Sequence, residues 1–567
     1  MDAEALLADL TVEQRHAATT LRGPVRILAG AGTGKTRTIT RRIAYGLATG
    51  TYSPGRVMAL TFTTKAAGEL RERLRQLDSP EVSARTFHSA ALAQLSHFWP
   101  MVIGGPLPEV LESKGRFLAE AAERLGIASD PIVLRDVASE IEWRKVNGVS
   151  IDQYADLGRP VPSALTPGQL IDVMAAYEAV KDARRRLDFE DVLLATAGLL
   201  EDEPWALDQV REQYRVFVVD EYQDVSPLQQ RLLDLWVGTR RDVCVVGDAS
   251  QTIYSFAGAS ATPLLQFARR YQDATLVSLD LSHRSVPGIL QGANALIQGE
   301  PGAVMLQPVR PKEQIAIPAR PPVRIAGYRT ASQEAAAVAE AIANEIAAGI
   351  APDHIAVLYR VHALSAALET ALQQFGIPFQ VQGQQRFFTQ PQVKRALEQV
   401  RAQALADPDG DPYTATTTIL RGLGWSTEAP GGGAAERTSW ESLQAIADQA
   451  EAASAEQQTL RQFATQLQAR QAANAAPGRK AVHLSTIHAA KGLEWRSVHV
   501  VGVAEGLLPI DMARSDAELA EERRLLYVAM TRAQDHLSLT WSAQAMGRGT
   551  RSPSRFLDQI PITPEQA

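Results

Sequence analysis

One stretch near the start of the chain, Ala29-Gly30-Ala31-Gly32-Thr33-Gly34-Lys35-Thr36, decides the fold. Its small residues allow backbone N–H groups to close around phosphates, and a lysine followed by a threonine can reach the outer phosphates and a bound Mg²⁺. A short apolar run at 25–28 precedes the stretch. Ile39, Ile43 and Leu47 follow it at helical spacing. The pattern predicts a strand, a phosphate-binding loop and a helix, as at the start of a parallel α/β sheet.

A second segment supplies the carboxylates that such a loop lacks. The apolar run at 216–219 predicts a buried parallel strand, and Asp220 and Glu221 follow it directly. Because ligands bind at the carboxyl ends of strands in open α/β sheets, Asp220 would hold Mg²⁺ with Thr36, and Glu221 would polarise an attacking water. Ala29 stands where the strict loop pattern has its first glycine, and alone the loop could be the start of any helix. Together, the two segments predict hydrolysis of a nucleoside triphosphate.

Length and composition are those of a multidomain globular protein. The chain has 567 residues, of which 45% are hydrophobic and 21% charged, ordinary values for globular domains. The single cysteine, Cys244, excludes an internal disulfide, and its apolar run at 243–246 predicts a buried strand thiol. The histidines His88, His283 and His488 lack metal-ligand spacing, so no zinc site is predicted.

Composition indicates neither a membrane nor a nucleic-acid partner. No apolar run approaches the roughly 18 residues that a membrane-spanning helix needs, and the acidic start at residues 1–4 is unlike a signal peptide. We therefore expect a cytoplasmic protein without membrane attachment. The formal net charge of -7 does not exclude nucleic-acid binding, because a groove needs only local positive potential. Basic clusters at 65–75 and 181–186 are candidates for such potential, but clusters of this kind are more often solvated helix faces, so charge does not decide the partner.

The spacing of strand and helix patterns divides the chain into four regions. In the first half of the chain, short strand patterns alternate with helical patterns, stop at a helical stretch, and then resume. In the second half, the same alternation surrounds a stretch rich in Ala, Gln and Glu. In that stretch, residues 438–441 predict a capping box that opens a helix. The predicted fold class is α/β, with two parallel sheets, each interrupted by a mainly helical insertion. The first α/β domain comprises 1–95 and 186–280, its insertion 96–185, the second domain 281–396 and 479–567, and its short insertion 397–478.

Further segments follow in a fixed order along the chain. They are 10–14 (LTVEQ), 61–67 (TFTTKAA), 86–89 (TFHS), 187–191 (LDFED), 245–258 (VVGDASQTIYSFAG), 282–285 (SHRS), 484–495 (LSTIHAAKGLEW) and 521–533 (EERRLLYVAMTRA). With the phosphate-binding loop and the carboxylate segment, this series resembles the motifs of superfamily 1A DNA helicases of the UvrD/PcrA/Rep family. The short second insertion is most similar to the shorter, second UvrD-like type of actinobacteria.

The resemblance implies two RecA-like P-loop motor domains (1A and 2A) with inserted subdomains (1B and 2B), and ATP and Mg²⁺ as cofactors. It also implies an ATP-dependent helicase that moves 3′→5′ on single-stranded DNA and unwinds tailed duplexes in DNA repair or replication. The expected form is a monomer, with a repair protein as a possible partner.

The resemblance assigns the nucleotide site. Gln14 would read the adenine edge, Gln251 would contact the γ-phosphate, and Arg284 and Arg532 would act as arginine fingers. Glu494 would approach the ribose. The catalytic residues would be Lys35, Thr36, Asp220, Glu221, Gln251, Arg284 and Arg532, with Thr36 and Asp220 as the Mg²⁺ ligands. The cofactor-binding residues would be Gln14, Ala29, Gly30, Ala31, Gly32, Thr33, Gly34, Lys35, Thr36, Arg37, His283 and Glu494.

The resemblance also assigns DNA contacts, and the chain departs from the family pattern in three places. Aromatic side chains would stack on bases and hydroxyls would hold phosphates. The DNA-contacting residues would be Phe62, Thr63, Thr86, His88, Tyr254, Phe256, Thr486 and His488. For Phe62 and the neighbouring Phe87, packing in the core is the alternative. Phe256 replaces the commoner tryptophan, Ala257 replaces an arginine, and His283 replaces a tyrosine that stacks on adenine.

Three alternatives remain open from the sequence. A DNA-stimulated translocase could strip proteins from single strands and unwind poorly without a partner, which the short second insertion and Ala257 favour. A nucleotide-gated clamp without turnover would require lost catalytic residues, yet Lys35 and Glu221 are present. RNA could replace DNA as the substrate.

Overall fold

The computed structural model describes residues 2–79, 81–127, 130–159, 161–162, 165–309, 321–382, 390–428, 430, 434–473, 480–544 and 549–561. The chain forms two compact units, Met1–His283 with Gly299–Gln307 and Arg284–Gln298 with Pro308–Ala567. Within the described residues, each unit is built on a six-stranded parallel sheet. The predicted α/β class with two parallel sheets is confirmed.

The first unit is organised by a sheet whose inner strands are apolar. Its strands are β1 (Val25–Ala29), β2 (Val57–Thr61), β3 (Ser83–Thr86), β4 (Glu109–Val110), β5 (Arg186–Leu187), β6 (Val216–Val219), β7 (Val243–Gly247), β8 (Thr275–Leu279) and β9 (Leu281–Ser282). Six of them pair in the order β3-β2-β6-β7-β1-β8. Along β6, Val216 and Val218 face one apolar core while Phe217 and Val219 face another, as expected for alternating side chains. Cys244 is buried on β7, as predicted.

Helices cover the sheet and form a separate group. They are α1 (Val12–Thr19), α2 (Lys35–Ala48), α3 (Thr64–Gln76), α4 (Phe87–Val102), α5 (Gly115–Arg124), α6 (Pro131–Val146), α7 (Ile151–Ala155), α8 (Pro167–Ala183), α9 (Phe189–Asp202), α10 (Pro204–Gln213), α11 (Pro227–Val237), α12 (Thr262–Leu265) and α13 (Phe267–Arg270). Helices α5 to α8 share a core of their own that includes Leu118, Met174 and Tyr177.

A buried group of charges joins α6 and α8 to the start of α9. Lys145 Nζ lies 2.7 Å from Asp188 Oδ2 and 2.6 Å from Asp191 Oδ1, and Lys181 forms ion pairs with both aspartates. Burial acts to raise the pKa of Asp188, but the charges of Lys145 and Lys181 outweigh it and lower that pKa. The interpretation of 181–186 as a solvated face is therefore wrong for Lys181, because its ammonium group is paired inside the protein.

The second unit repeats the parallel arrangement with a different strand order. The short strand β10 (Gln307–Pro308) pairs with β9. The strands of the second unit are β11 (Val323–Tyr328), β12 (Ile355–Tyr359), β13 (Phe379–Gln382), β14 (Val482–Thr486), β15 (Trp495–Val500) and β16 (Ala533–Ser542). These six form the sheet β11-β16-β15-β12-β14-β13. The helices are α14 (Pro287–Ile297), α15 (Ala331–Ala347), α16 (Ser365–Gln374), α17 (Pro391–Ala406), α18 (Pro412–Gly422), α19 (Ala434–Ala455), α20 (Leu460–Ala473) and α21 (Asp516–Met530).

Helices α17 to α20 pack around a core that includes Leu420, Trp425 and Phe463. Because α19 begins at Ala434, the capping box predicted at 438–441 is wrong: these residues lie inside the helix. The preceding residues include two alanines, a glutamate and an arginine, which are strong helix formers and extend the helix toward its start. Among the helices described, none has the length and apolar character to cross a membrane.

Candidate nucleotide and nucleic-acid sites

The glycine-rich loop leaves β1 and ends at α2 in a conformation suited to an anion. Gly34 is left-handed, with φ 79°, and no side chain caps the helix that begins at Lys35. The first N–H groups of such a helix have no partner within it, and the helix dipole favours negative charge there. A Cβ at Gly30 would lie 2.4 Å from Leu306 Cδ2, so a larger residue there would require the Leu306 side chain to move. The loop and the helix start therefore have a geometry that is compatible with the predicted phosphate site.

Gln14 lies against this loop. Its Nε2 donates to the Thr33 carbonyl at 2.9 Å, and its Oε1 accepts from the Thr11 N–H at 3.1 Å as part of a capping box on α1. Gln14 is buried. The structure thus places Gln14 beside the glycine-rich loop, where its amide connects the loop to the start of α1.

Two neighbouring residues, His283 and Ser282, donate to the loop, whereas Arg37 is held elsewhere. The His283 N–H donates to the Gly32 carbonyl at 3.0 Å, and the His283 side chain is exposed. Ser282 Oγ donates to the Ala31 carbonyl at 3.0 Å. Arg37 Nη2 donates to the Asp9 carbonyl at 2.9 Å and is ion-paired with the Asp9 carboxylate. Arg37 is thus directed to Asp9 in this structure.

The two carboxylates after β6 lie beside the loop. Thr36 Oγ1 is 3.5 Å from Asp220 Oδ2, and Lys35 Nζ is 3.8 Å from Glu221 Oε2. Burial, followed by the charge of Glu221, raises the pKa of Asp220 to about 7. A hydroxyl and a carboxylate facing each other are oxygen ligands of the kind Mg²⁺ takes, and a cation would favour the ionised form of Asp220. The donor set therefore fits the metal predicted from the sequence.

Glu221 has an unusual backbone. Its φ of 50° and ψ of 43° place a non-glycine residue in the left-handed region. Such residues cost of order 1–3 kcal/mol and cluster at functional sites. A turn of 3-10 helix, Tyr222–Asp224, follows at once. The sharp turn after β6 keeps the Glu221 carboxylate near Lys35.

Three aromatic side chains form a stack in the same unit. The Phe62 and Tyr254 rings are 5.7 Å apart and inclined by 17°, while Tyr254 meets Phe256 edge-on at 6.1 Å. Phe256 is 65% exposed and Phe62 is 37% exposed. Phe87, in contrast, is buried against Trp236. The structure thus separates an accessible stack from a core phenylalanine.

Thr63 and Thr86 cap helices at the ends of β2 and β3. Thr63 Oγ1 accepts from the Ala66 N–H at 3.1 Å, and Thr86 Oγ1 accepts from the Ser89 N–H at 3.1 Å. His88 stacks on Phe189 with ring centroids 3.9 Å apart. Burial lowers the pKa of His88 to about 4, and the nearby charge of Lys114 adds to the effect. His88 is therefore neutral at pH 7.

In the second unit, two residues with separate predicted roles contact each other. Arg284 Nε donates to Glu494 Oε2 at 2.6 Å, and Arg284 Nη1 donates to the Thr531 carbonyl at 3.0 Å. Gln534 Nε2 holds the other Glu494 oxygen at 3.1 Å. Arg532 is buried and donates to the carbonyls of Val528 and Leu493 at 3.0 and 3.1 Å. Both arginines are therefore held by oxygen atoms of their own unit.

Thr486 is the last residue of β14, and His488 lies two residues beyond it. The Ile487 N–H donates to the Tyr359 carbonyl at 2.9 Å, which ties this segment to the end of β12. Burial lowers the pKa of His488 to about 3, with further contributions from the charges of Arg360 and Lys491. Thr486 Oγ1 accepts from the Ala489 N–H at 3.3 Å. This edge of the second sheet therefore carries a neutral histidine among cations.

Comparison with known proteins identifies the family. The model of the UvrD/REP helicase N-terminal domain matches residues 10–272, and that of the UvrD-like helicase C-terminal domain matches residues 277–406 and 426–544. The ATP-dependent DNA helicase UvrD2 of Mycobacterium tuberculosis is 42% identical over 98% of this chain and 82% of its own length. This chain belongs to the UvrD-like helicase family. The ATP-dependent DNA helicase PcrA of Staphylococcus aureus is 28% identical over 98% of this chain and 87% of its own length.

Sequence reasoning missed one connection in this UvrD-like helicase. Gln251, assigned to the γ-phosphate, donates from Nε2 to Asp248 Oδ2 at 2.7 Å. The N–H of Asp248 in turn donates to Oε1 of Gln223, whose Nε2 reaches Glu221. Burial raises the pKa of Asp248. The motifs containing these residues were visible in the sequence, but only the folded chain brings Gln223 and Asp248 together.

Proposed function

We propose that this UvrD-like helicase is an ATP-dependent DNA helicase that moves 3′→5′ along single-stranded DNA and unwinds duplex in DNA repair or replication. One observation carries the proposal. Lys35, Thr36, Asp220 and Glu221 surround a helix start suited to phosphates, and a chain of contacts links them to an exposed aromatic stack in the same unit. The matched families and the names of the relatives support ATP-dependent DNA helicase activity.

In the proposed reaction, the loop and Lys35 bind the phosphates of ATP, and Thr36 and Asp220 hold Mg²⁺. The metal, when bound, would offset the charge of the phosphate oxygens. Glu221 orients the attacking water and Gln251 contacts the γ-phosphate. Arg284 and Arg532 supply the positive charge that phosphoryl transfer requires. To do so, their guanidinium groups exchange their present oxygen partners for phosphate oxygens.

DNA binding in the proposal uses stacking and hydrogen bonds. Bases stack on Phe62, Tyr254 and Phe256, each stacked base being worth about 1–3 kcal/mol. The hydroxyls of Thr63, Thr86 and Thr486, with His88 and His488, lie along the strand of DNA. Support comes from their position near the ends of parallel strands, where α/β sheets bind ligands. Because Phe256 leaves most of its ring accessible, it is the strongest candidate for a base contact.

Strand displacement tests the proposal. The whole chain is mixed with ATP, Mg²⁺ and a duplex that carries either a 3′ or a 5′ single-stranded tail, and Lys35→Ala serves as the control. Unwinding from the 3′ tail alone, absent in the variant, is the expected result. Unwinding from the 5′ tail would contradict the polarity, and equal activity on an RNA tail would contradict the preference for DNA.

A translocase is the second candidate. Ala257 lies beside the aromatic stack, where an arginine would add a charged contact to DNA, so its neutral side chain favours weaker grip. ATP consumption that depends on single-stranded DNA, without displacement from either tail, would identify this activity. Unwinding that returns when a repair protein is added would identify a partner. We expect a cytoplasmic protein that is a monomer in solution, and light scattering of the purified chain tests the oligomeric state.

A further inference from the structure

Gln223 lies two residues after Glu221 and is completely buried. Its Nε2 donates to Glu221 Oε2 at 2.5 Å, while its Oε1 accepts from the Asp248 N–H at 3.0 Å. An amide that donates at one end and accepts at the other has a single fitting orientation. Gln223 therefore connects the residue that would orient water with the segment that follows β7.

The backbone around Gln223 is shaped for this contact. The left-handed conformation of Glu221 and the 3-10 turn Tyr222–Asp224 bring the Gln223 side chain back toward Glu221. On the other side, a Cβ at Gly247 would lie 2.5 Å from Gln223 Oε1 and 2.9 Å from Leu264 Cδ2. A larger residue at position 247 would displace the amide.

Asp248 extends the connection toward the aromatic stack. Its Oδ2 accepts from Gln251 Nε2 at 2.7 Å and its Oδ1 accepts from the Ser250 N–H at 3.0 Å. Tyr254, three residues beyond Gln251, stacks on Phe62. A continuous path of hydrogen bonds and short chain segments thus runs from Glu221 through Gln223 and Asp248 to the exposed rings.

We infer that Gln223 is a positioning residue that fixes the Glu221 carboxylate and couples it to the Gln251–Tyr254 segment, so that DNA at the rings changes the rate of ATP hydrolysis. The inference rests on the proposed function. Gln223 acts through Glu221 and Asp248. Removing its amide should therefore reduce the effect of DNA on hydrolysis more than the binding of ATP.

The test uses Gln223→Met in the full chain, because methionine keeps the length of the side chain and loses both hydrogen bonds. Steady-state ATP hydrolysis is measured with and without an oligo(dT) strand, and affinity is measured with a fluorescent ATP analogue. DNA-stimulated kcat should fall about 10- to 100-fold, since small misplacements of catalytic groups have effects of that size. The ratio of stimulated to basal rate should approach one, with affinity for the analogue changed less than about threefold.

Gln94→Met is the matched control, because Gln94 is a buried glutamine of the same unit that accepts from Trp236 Nε1 at 2.9 Å. It should keep the stimulation ratio whatever its effect on the melting temperature. If Gln223→Met also keeps the ratio, or lowers basal and stimulated rates in parallel, the inference is overturned.

Gln223→Glu is the second variant, should the methionine variant fail to fold. It keeps an acceptor for the Asp248 N–H and loses the donor to Glu221, so the ratio should again approach one; a wild-type ratio would overturn the inference. A wild-type chain that DNA does not stimulate would instead contradict the proposed function.

Discussion

The two parallel sheets of this UvrD-like helicase have the same number of described strands and carry different chemistry at their carboxyl ends. In the first sheet, β1 leads into the glycine-rich loop and β6 leads into Asp220 and Glu221. In the second sheet, β12 leads to Arg360 and β14 ends at Thr486, two residues before His488. Similar frameworks therefore serve different tasks through the few residues that follow each strand.

The cations of the two units also differ in how they are held. Lys35 approaches Glu221 at 3.8 Å, longer than a hydrogen bond, beside the bare start of α2. Arg284 is held by Glu494 at 2.6 Å, and Arg532 donates to backbone carbonyls. In the proposed reaction, Arg284 and Arg532 therefore exchange these partners for phosphate oxygens, whereas Lys35 gives up only a longer contact with Glu221.

The largest effect is expected from Arg284→Ala. Removing an arginine that stabilises phosphoryl transfer lowers kcat by about 10³- to 10⁵-fold. A loss of ATP hydrolysis in this variant, with the affinity for a fluorescent ATP analogue retained, would support the proposed role. A kcat within tenfold of the wild type would contradict the catalytic role, because Arg284 would then act only in its ion pair with Glu494.

Glu494→Gln tests the role of the ion pair between Arg284 and Glu494. The variant weakens the hold on Arg284 and removes little volume, so kcat should stay within about tenfold of the wild type. The ribose contact implied by the family resemblance predicts weaker binding of the ATP analogue instead. Measuring both quantities separates the two roles of Glu494.

Glu221→Gln should lower kcat about 10²- to 10⁴-fold, the range for loss of a group that assists proton transfer. ATP should still bind, because Lys35 and the loop are unchanged. Single-turnover hydrolysis measures the effect. Glu212→Gln, which alters an exposed glutamate on α10, is the control and should retain the wild-type rate. Equal rates for both variants would remove Glu221 from the mechanism.

Buried ion pairs offer a comparison of stability between the units. Lys181→Met in the first unit leaves the buried Asp188 with fewer partners, which costs about 3–5 kcal/mol. Glu522→Gln in the second unit removes the charged partner of Arg360, which is partly exposed, and should cost less. Glu522 is buried and accepts from Arg360 Nε and Nη2 at 3.0 and 2.9 Å. Urea unfolding measures the loss. Arg184→Met, at a more exposed ion pair with Glu120, should cost no more than about 1 kcal/mol.

Phe256→Ala should weaken binding of oligo(dT) by about 1–3 kcal/mol, the value of one stacked base. Fluorescence anisotropy at fixed salt measures the affinity. Trp205→Ala removes another partly exposed aromatic ring, on α10, and should leave the affinity unchanged. If both variants bind equally well, the stack of Phe62, Tyr254 and Phe256 is a packing feature.

The smallest effect is a loss of stability in mild acid. His88 and His488 have folded-state pKa values of about 4 and about 3, below the ordinary value of 6.5. The unfolded chain therefore binds more protons below pH 6.5, and stability falls as the pH decreases through that range. Between pH 7.5 and 5.5 each histidine should contribute a loss of about 1.4 kcal/mol.

His88→Asn and His488→Asn should each flatten the dependence of unfolding free energy on pH by that amount. His16→Asn, at an exposed histidine, is the control for the replacement of a histidine by asparagine. A change in one unit only would show that the two histidines experience different environments.

Much of the fold could be predicted from local pattern. The stretches at 25–28 and 216–219 became β1 and β6, because they are rich in Val, Ile and Phe, which favour strands, and every residue of β6 is buried. Ile39 and Ile43 are buried on α2, while Leu47 is half-buried near its end. In each case the decisive neighbours lie within a few residues.

Features set by distant residues could not be predicted. Lys181 has the local pattern of a solvated helix face, yet Lys145 and Asp188 from other elements enclose it. The left-handed backbone of Glu221 has no local signal, since glutamate rarely adopts it. Likewise, nothing near Gln223 indicates that Asp248 lies against it. Burial of polar groups depends on partners that only the folded chain brings together.

The contact at Gly30 limits how the chain can be divided. Val304 and Leu306 are buried, and Leu306 covers Gly30. In the sequence, α14, which belongs to the other unit, lies between these two residues and the first 283 residues. A fragment that ends at His283 would keep every predicted phosphate ligand of the first unit and lose this cover. The first unit is therefore built from two separate stretches of the sequence. During synthesis, Leu306 can cover the glycine-rich loop only after the ribosome has translated residue 306.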